Sequence, residues 1–431
     1  MKRFYLLLII ISFFIFPLFS KNEVLQLFDG INYNPILWEK ISQIEYDEEG
    51  NSLKINTEDK IVNIDVKDGF SIPSSQSIPL IEIFTDEYLE EIPNKIDYKK
   101  GDFFLSGFGI YENIEQRVEI RGRGNSSWGF EKKPYRLKFD KKISLCGLPK
   151  AKNYVLLANY ADNSLIQNAL AFKIGEMLEL PYTPVGVPVD IKLNGIYKGS
   201  YLLTNKPGIN SGSVDIDEDK SVMWELDISY DEEFKFKSPL LDLPVMVADP
   251  DLTEEEFEYW KNDFIVMEQA AVNLKASKLI DLDEAARYLL VFEIMKNDEM
   301  GYPKSVKLFK SEGEKYLFGP LWDFDTAMGK VWNGPGYTTD KIEDKVWKNA
   351  LFRCLEDDPI FIESLKNHWL FMRSRLPELL DFVNDYYENI RQSGLRNHQV
   401  WTGLEDLETC KIKLEQWLNM RFDALDKIYG Q

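Results

Sequence analysis

The sequence has only two histidines in 431 residues, His368 and His398. Zinc sites built on imidazole are excluded, as are most nucleophile–histidine triads, and both rings fall in the helical C-terminal part, where they read as structural or surface residues. Cysteine is nearly as scarce. Cys146, Cys354 and Cys410 are odd in number and contain no CxxC pair, so a disulfide framework is excluded and one bridge is the most the chain can form. Positive charge is short as well: 51 lysines and arginines face 72 acids, for a formal charge of −21. A nucleic-acid partner is not expected, because it needs a basic face. The chemistry is left to carboxylates, lysines and arginines.

The first twenty residues stand apart. Lys2 and Arg3 precede the apolar run YLLLIIISFFIFPLF, which ends near Ser20. A short basic start and a brief apolar core read as a secretory signal over 1–20. An uncleaved anchor is the rival reading, but the run is short for a bilayer span. No cysteine lies near the cut, so a lipidated cysteine is not indicated. Cleavage after Ser20 removes two cations and no acid, taking −21 to −23. The expectation is an extracytoplasmic chain (secreted, periplasmic or at the cell surface) with no membrane span after cleavage.

Residues 21–77 read as a small β-rich segment, alternating at 52–56 and 61–66, followed by a linker, SIPSSQS, at 71–77. From 78 to about 250 the pattern is strand-rich. One helix interrupts it over 163–177, with Asp162 or Asn163 as its cap, and Asn194-Gly195 marks a hairpin. Beyond about 251 helices are expected at 253–274, 282–296, 359–375, 376–391 and 405–428, with a β island at 306–318. The fold class is α+β, a strand-rich N-lobe and a helical C-lobe.

Three stretches can carry chemistry. In VEIRGRGNSSWGFEKKPYRLKF (118–139) a glycine-rich turn is followed by Lys132, Lys133, Arg136 and Lys138. A turn that lets backbone come close, with cations on the next strand, suits a polyphosphate; a hairpin with a solvated basic face is the plain alternative. In NYVLLANYADNSLIQN (153–168) a helix N-terminus follows a buried strand, and helix capping accounts for it equally well. In the third, Asn297, Asp298 and Glu299 follow a helix, and a hairpin then leads to GPLWDFDTAMG (319–329), with Asp323 and Asp325 around Phe324. Acids on two loops beside one hairpin can converge on Mg²⁺ or Mn²⁺, or they can cap turns.

Taken in order, RGRGNSSWGFEKKPYRLKF, LPKAKNYVLLANYADNSLIQN, NGIYKGSYLLTNK and GPLWDFDTAMG resemble the CotH (spore coat protein H-like) family over roughly 78–425. The resemblance implies an atypical protein-kinase-like fold, ATP with Mg²⁺ or Mn²⁺, and phosphoryl transfer to serine or threonine of a secreted or envelope protein. It agrees with the lack of HRD, DFG and VAIK signatures. It makes Asp323 the metal aspartate and Asp325 its support, places Lys133, Arg136 and Lys138 near phosphates, and puts Ser305 ahead of the hairpin strand beside the metal. Asn297 falls among the cofactor-binding positions. One departure concerns the catalytic acid: a residue is inserted after Asn297, so either Asp298 or Glu299 faces the acceptor. Asn205 is a second departure, standing where an acid is common. These departures motivate an alternative, a catalytically impaired pseudokinase or a surface binding or adhesion protein on the same scaffold.

Overall fold

The computed structural model describes residues 78–430, apart from 331–338, 341 and 402, together with five strands nearer the N-terminus. Of these, β1 (Val24–Phe28) pairs with β2 (Tyr33–Leu37), and β3 (Ile41–Asp47), β4 (Ser52–Thr57) and β5 (Ile61–Asp65) form an antiparallel sheet. The signal segment 1–20 and the linker 71–77 lie outside the described residues.

Seven strands then close into a barrel: β6 (Leu80–Thr85), β7 (Lys99–Ser106), β8 (Ile114–Gly122), β9 (Tyr135–Ile143), β10 (Ala151–Leu157), β11 (Val187–Leu193) and β12 (Ile196–Asn205). Around the barrel the order is β10, β12, β11, β6, β7, β8, β9; only β11 and β6 run parallel. Alternation decides the inner face. On β9, Tyr135, Leu137 and Phe139 are buried while Arg136 and Lys138 lie on the other side. The β11–β12 turn is the expected one, with φ of 49° at Asn194 and 81° at Gly195.

A second sheet draws strands from both sides of residue 250: β13 (Ser221–Leu226), β14 (Lys235–Lys237), β15 (Pro244–Asp249), β16 (Val306–Ser311) and β17 (Leu317–Phe318), in the order β14-β15-β13-β16-β17. The helices are α1 (Gln167–Met177), α2 (Glu254–Val272), α3 (Leu282–Met295), α4 (Ala350–Leu355), α5 (Pro359–Ser374), α6 (Leu376–Val400) and α7 (Leu407–Tyr429). Their starts follow local chemistry: Thr253 and Glu256 form a capping box on α2, Asp281 caps α3, and Asp358 with Pro359 opens α5. The mixed α+β class is the expected one. A closed barrel does not by itself identify a kinase N-lobe. Among the described residues no helix is long and apolar enough to cross a membrane.

Helix α6 runs nine residues beyond the expected end at 391. Its last turns, QSGLRNHQV, include the weak helix formers Ser393, Gly394, Asn397 and His398, so propensity alone favours an earlier stop. Docking on the barrel outweighs it. Ser393 Oγ donates to Asp190 at 2.6 Å, Arg396 pairs with the same carboxylate, Asn397 accepts from Ser200 N at 3.1 Å, and Trp401 Nε1 donates to Lys198 O at 3.0 Å. Gly199, with φ of 106°, sits at the closest approach, where a Cβ would collide with the Asn397 amide. His398 Nε2 donates to Asn163 O at 3.1 Å and His368 contacts Asp283 at 2.9 Å, so both histidines are structural, as expected. All three cysteines are free.

Helix α3 is the core of the helical lobe, buried on nearly every side. Its Glu293 meets Arg421 of α7 at 2.6 Å, with both side chains fully buried. Arg421 also donates to the carbonyls of Glu293, Ile342 and Asp344, and Glu293 accepts from Val346 N at 3.0 Å. Burial drives the Glu293 carboxyl towards its neutral form, and Arg421 opposes this. Arg421→Met is expected to cost about 3–5 kcal/mol in urea unfolding, because it strands a buried carboxyl; adding Glu293→Met should recover a large part of the loss. A single variant within 1 kcal/mol of wild type, roughly the surface-substitution range, would show that the pair does not anchor the lobe.

Candidate active site

The loop after β17 is held by its apolar residues. Trp322 and Phe324 are buried, and the Phe324 ring lies 4.8 Å from that of Phe292 on α3. Between them Asp323 adopts a left-handed φ of 66°, a conformation aspartate tolerates better than most residues. Asp323 and Asp325 are left partly buried, next to a core that excludes water.

The acids of the second loop separate. After α3, Lys296 takes a left-handed φ of 48° and its ammonium reaches Asp298 at 2.6 Å; the Asp298 side chain is 54% exposed. Asn297 is buried. Its Oδ1 accepts from Glu299 N at 3.1 Å, and its Nδ2 donates to Asp323 O at 3.2 Å. Glu299 turns inward, and its Oε2 is shut off from solvent with no hydrogen-bond partner among the described residues. Of the two acids left open by the sequence, Glu299 joins the aspartates and Asp298 does not.

Burial, then Asp323 and Asp325, push the Glu299 carboxyl up to about 9. Burial, then Asp323 and Asp162, push Asp325 up to about 8, with Arg123 pulling the other way. The protons belong to the cluster rather than to either residue. Arg123 follows β8, and its guanidinium lies 5.4 Å from the Trp322 ring; burial weakens its hold on its proton, while Asp323, Asp325 and Glu225 strengthen it.

The neighbouring walls add further charges. Glu225 on β13 pairs with Lys307 on β16. Asp227, two residues on, is buried and accepts from Ser305 N at 3.2 Å and Ser229 N at 2.7 Å. Ser305 takes a left-handed φ of 54°. Arg136 donates to Asn153 at 3.1 Å and stands directly across the β8–β9 ladder from Arg121, a like-charge pairing that an anion would relieve. Lys206, after β12, feels Arg136, Asp249, Lys307 and Glu232; burial is the largest influence lowering its proton affinity. The other expected phosphate cations have partners of their own: Lys133 donates to Trp128 O at 2.8 Å, and Lys138 pairs with Glu119 at 3.1 Å. Asn205 donates to Pro149 O at 3.0 Å.

Reasoning from sequence did not select Arg123, Lys206, Glu225 or Asp227. Arg123 sits inside the glycine-rich turn already singled out, and Lys206 closes the YLLTNK motif, so position in a motif was the available signal. Glu225 and Asp227 look like ordinary outward residues of a strand. Helix α1 begins at Gln167, four residues later than expected, with Ile166 rather than Asp162 or Asn163 at its N-cap; Asp162 instead ties down the turn before it, Oδ2 accepting from Gln167 N at 2.8 Å and Oδ1 from Ser164 N at 2.9 Å.

Among the described residues no three His, Cys, Asp or Glu side chains converge closely enough to cage a metal ion. The hard-oxygen donors and the unpartnered Glu299 oxygen nevertheless fit a divalent cation that takes its remaining ligands from phosphate and water, the habit of magnesium. A cavity of about 430 Å³ opens behind the start of α1, lined by Asp162, Met328, Leu414 and Trp417 among others; none of Glu299, Asp323 and Asp325 lines it.

Glu299 and Asp325 hold protons in the folded chain to a higher pH than the ordinary 4.5 and 3.8. The folded state therefore binds more protons than the unfolded one across that window. The associated stability is fully present below the ordinary values and is lost as pH rises towards 8 and 9. Without divalent ions, the melting temperature should fall more steeply with rising pH in wild type than in Glu299→Gln. Equal slopes would remove Glu299 from the cluster.

The family model described as CotH kinase protein matches residues 120–425. No curated protein matches the chain.

Proposed function

The chain belongs to the CotH kinase family, and from that premise we propose that it is an ATP-dependent protein kinase. The supporting observation is the division of charge: Arg123, Arg136 and Lys206 come from the barrel and its end, Glu299, Asp323 and Asp325 from the loops after α3 and β17, and Arg123 feels both aspartates. A nucleoside triphosphate with a divalent ion suits that division, its phosphates towards the cations and its metal towards the acids.

In this reading Asp323 and Asp325 hold Mg²⁺ or Mn²⁺, which when bound neutralises charge on the transferring phosphoryl group. Arg123 and Lys206 orient the phosphates, with Arg136 behind them. Glu299, which a cation offsetting the charge of the two aspartates would leave ionised, accepts a hydrogen bond from the acceptor hydroxyl and takes its proton. Asn297 and Asp227 position Asp323 and Ser305. The acceptor is a serine or threonine of a secreted or envelope protein, a proposal resting on the signal-like first twenty residues. The kinase-like description of the two lobes belongs to the same proposal.

One observation favours a second reading. The inward acid is a glutamate, a methylene longer than aspartate, and a misplacement of about 1 Å can cost on the order of a hundredfold in rate. A pseudokinase or binding protein would keep the fold and the nucleotide without turnover.

Two measurements on residues 21–431 test these readings. ATP with Mg²⁺ or Mn²⁺ should raise the melting temperature of wild type and not of Asp323→Ala. Glu299→Gln should keep the rise but lose labelled-phosphate transfer by roughly 10²–10⁴-fold. A rise without transfer in wild type selects the pseudokinase; no rise in wild type defeats both nucleotide readings.

A further inference from the structure

The Asp323 carbonyl and the Phe324 N–H belong to one peptide unit, the first of the two that join the aspartates of the loop. Both ends of that unit are held by buried asparagines from distant parts of the chain. Asn297 Nδ2 donates to Asp323 O at 3.2 Å, and Asn168 Oδ1 accepts from Phe324 N at 2.9 Å. Asn168 lies in the first turn of α1 and is 2% exposed. Its other end is also used, because Nδ2 donates to Asn159 Oδ1 at 2.9 Å. The backbone N–H can only donate, so the Asn168 oxygen must face the loop, and its amide orientation is determined.

We propose that Asn168 is a positioning residue for the cation site: with Asn297 it clamps the 323–324 peptide plane and thereby sets the direction of both aspartate side chains. The inference rests on the cation-site reading above. The physical need is specific. Asp323 has a left-handed φ of 66°, a state that persists in a non-glycine residue only when its surroundings over-determine it. Rotation of the 323–324 peptide turns ψ of Asp323 and φ of Phe324 and would re-aim Asp323 relative to Asp325. Each asparagine blocks this rotation by holding one end of the peptide dipole. Asn297 is tied to the Glu299 turn and Asn168 to the start of α1, which Asp162 fixes through Gln167 N and Ser164 N. The clamp thus makes the separation of the two aspartates a property of α1, a helix more than a hundred residues away in sequence.

The test uses residues 21–431 with Asn168→Leu, near in size but unable to accept, and with Asn159→Gly, which suits the positive φ of 49° at that position and removes the brace on Asn168 together with a long 3.4 Å bond to Leu165 O. Hydrogen exchange without metal should show the Phe324 amide opening at least about tenfold faster in Asn168→Leu, with a smaller change in Asn159→Gly. The dissociation constant for Mn²⁺ alone should rise by about 10–100-fold in Asn168→Leu, the usual effect of removing a group that orients metal ligands. Unchanged Phe324 exchange overturns the clamp, as does unchanged Mn²⁺ affinity where wild type binds the ion. Absence of Mn²⁺ binding in wild type instead defeats the cation-site reading, and the exchange measurement then judges the clamp alone. If Asn168→Leu does not fold, Asn159→Gly decides by the same two readouts.

Discussion

The repulsion that Asp323 exerts on Glu299 and Asp325 beside an apolar core is the constraint on which the loop after β17 depends. Burial and the neighbouring Asp323 make Glu299 and Asp325 hold their protons to a higher pH than exposed carboxyls. Such crowding opposes stability, and the rest of the molecule has to offset it. It does so with aromatic packing on either side of the loop, through Trp322 against Arg123 and Phe324 against Phe292, and with backbone groups that leave the loop little freedom.

The same economy of buried polar groups recurs away from the cleft. Arg421 is fully enclosed yet meets a carboxylate and three carbonyls. Asp190 on the barrel gathers Tyr197, Ser393 and Arg396, and so ties α6 to β11. A buried charge that loses a partner is far more costly than one never buried, so these hubs hold the two halves in one arrangement.

Much of this was legible in the sequence because it is local. Period-two alternation on β9 placed Leu137 inward and Arg136 outward. Asn194-Gly195 specified its turn, and Thr253, Asp281 and Asp358 marked helix starts within a residue or two. The WDFD motif stood out as a candidate site because acids among large apolar residues need a reason. The extension of α6 to Val400 was not legible, since glycine, serine and asparagine there argue for an end and only the barrel surface argues against it.

The chain by itself determined which residue types are available for chemistry, where most elements begin, and that acids and cations lie on separate motifs. Tertiary structure decided which of them meet. Asp298 and Glu299 are neighbours with the same charge, and no pattern in the sequence separates them. A lysine ion pair turns one to solvent, and the Asn297 amide turns the other inward. Arg123 reaches Asp325, and Asn168 reaches Phe324, across 202 and 156 positions of chain. Such contacts depend on how a closed barrel seats on a helical lobe, a geometry summed over many weak packing terms, whereas a turn or a cap depends on a few adjacent dihedral angles.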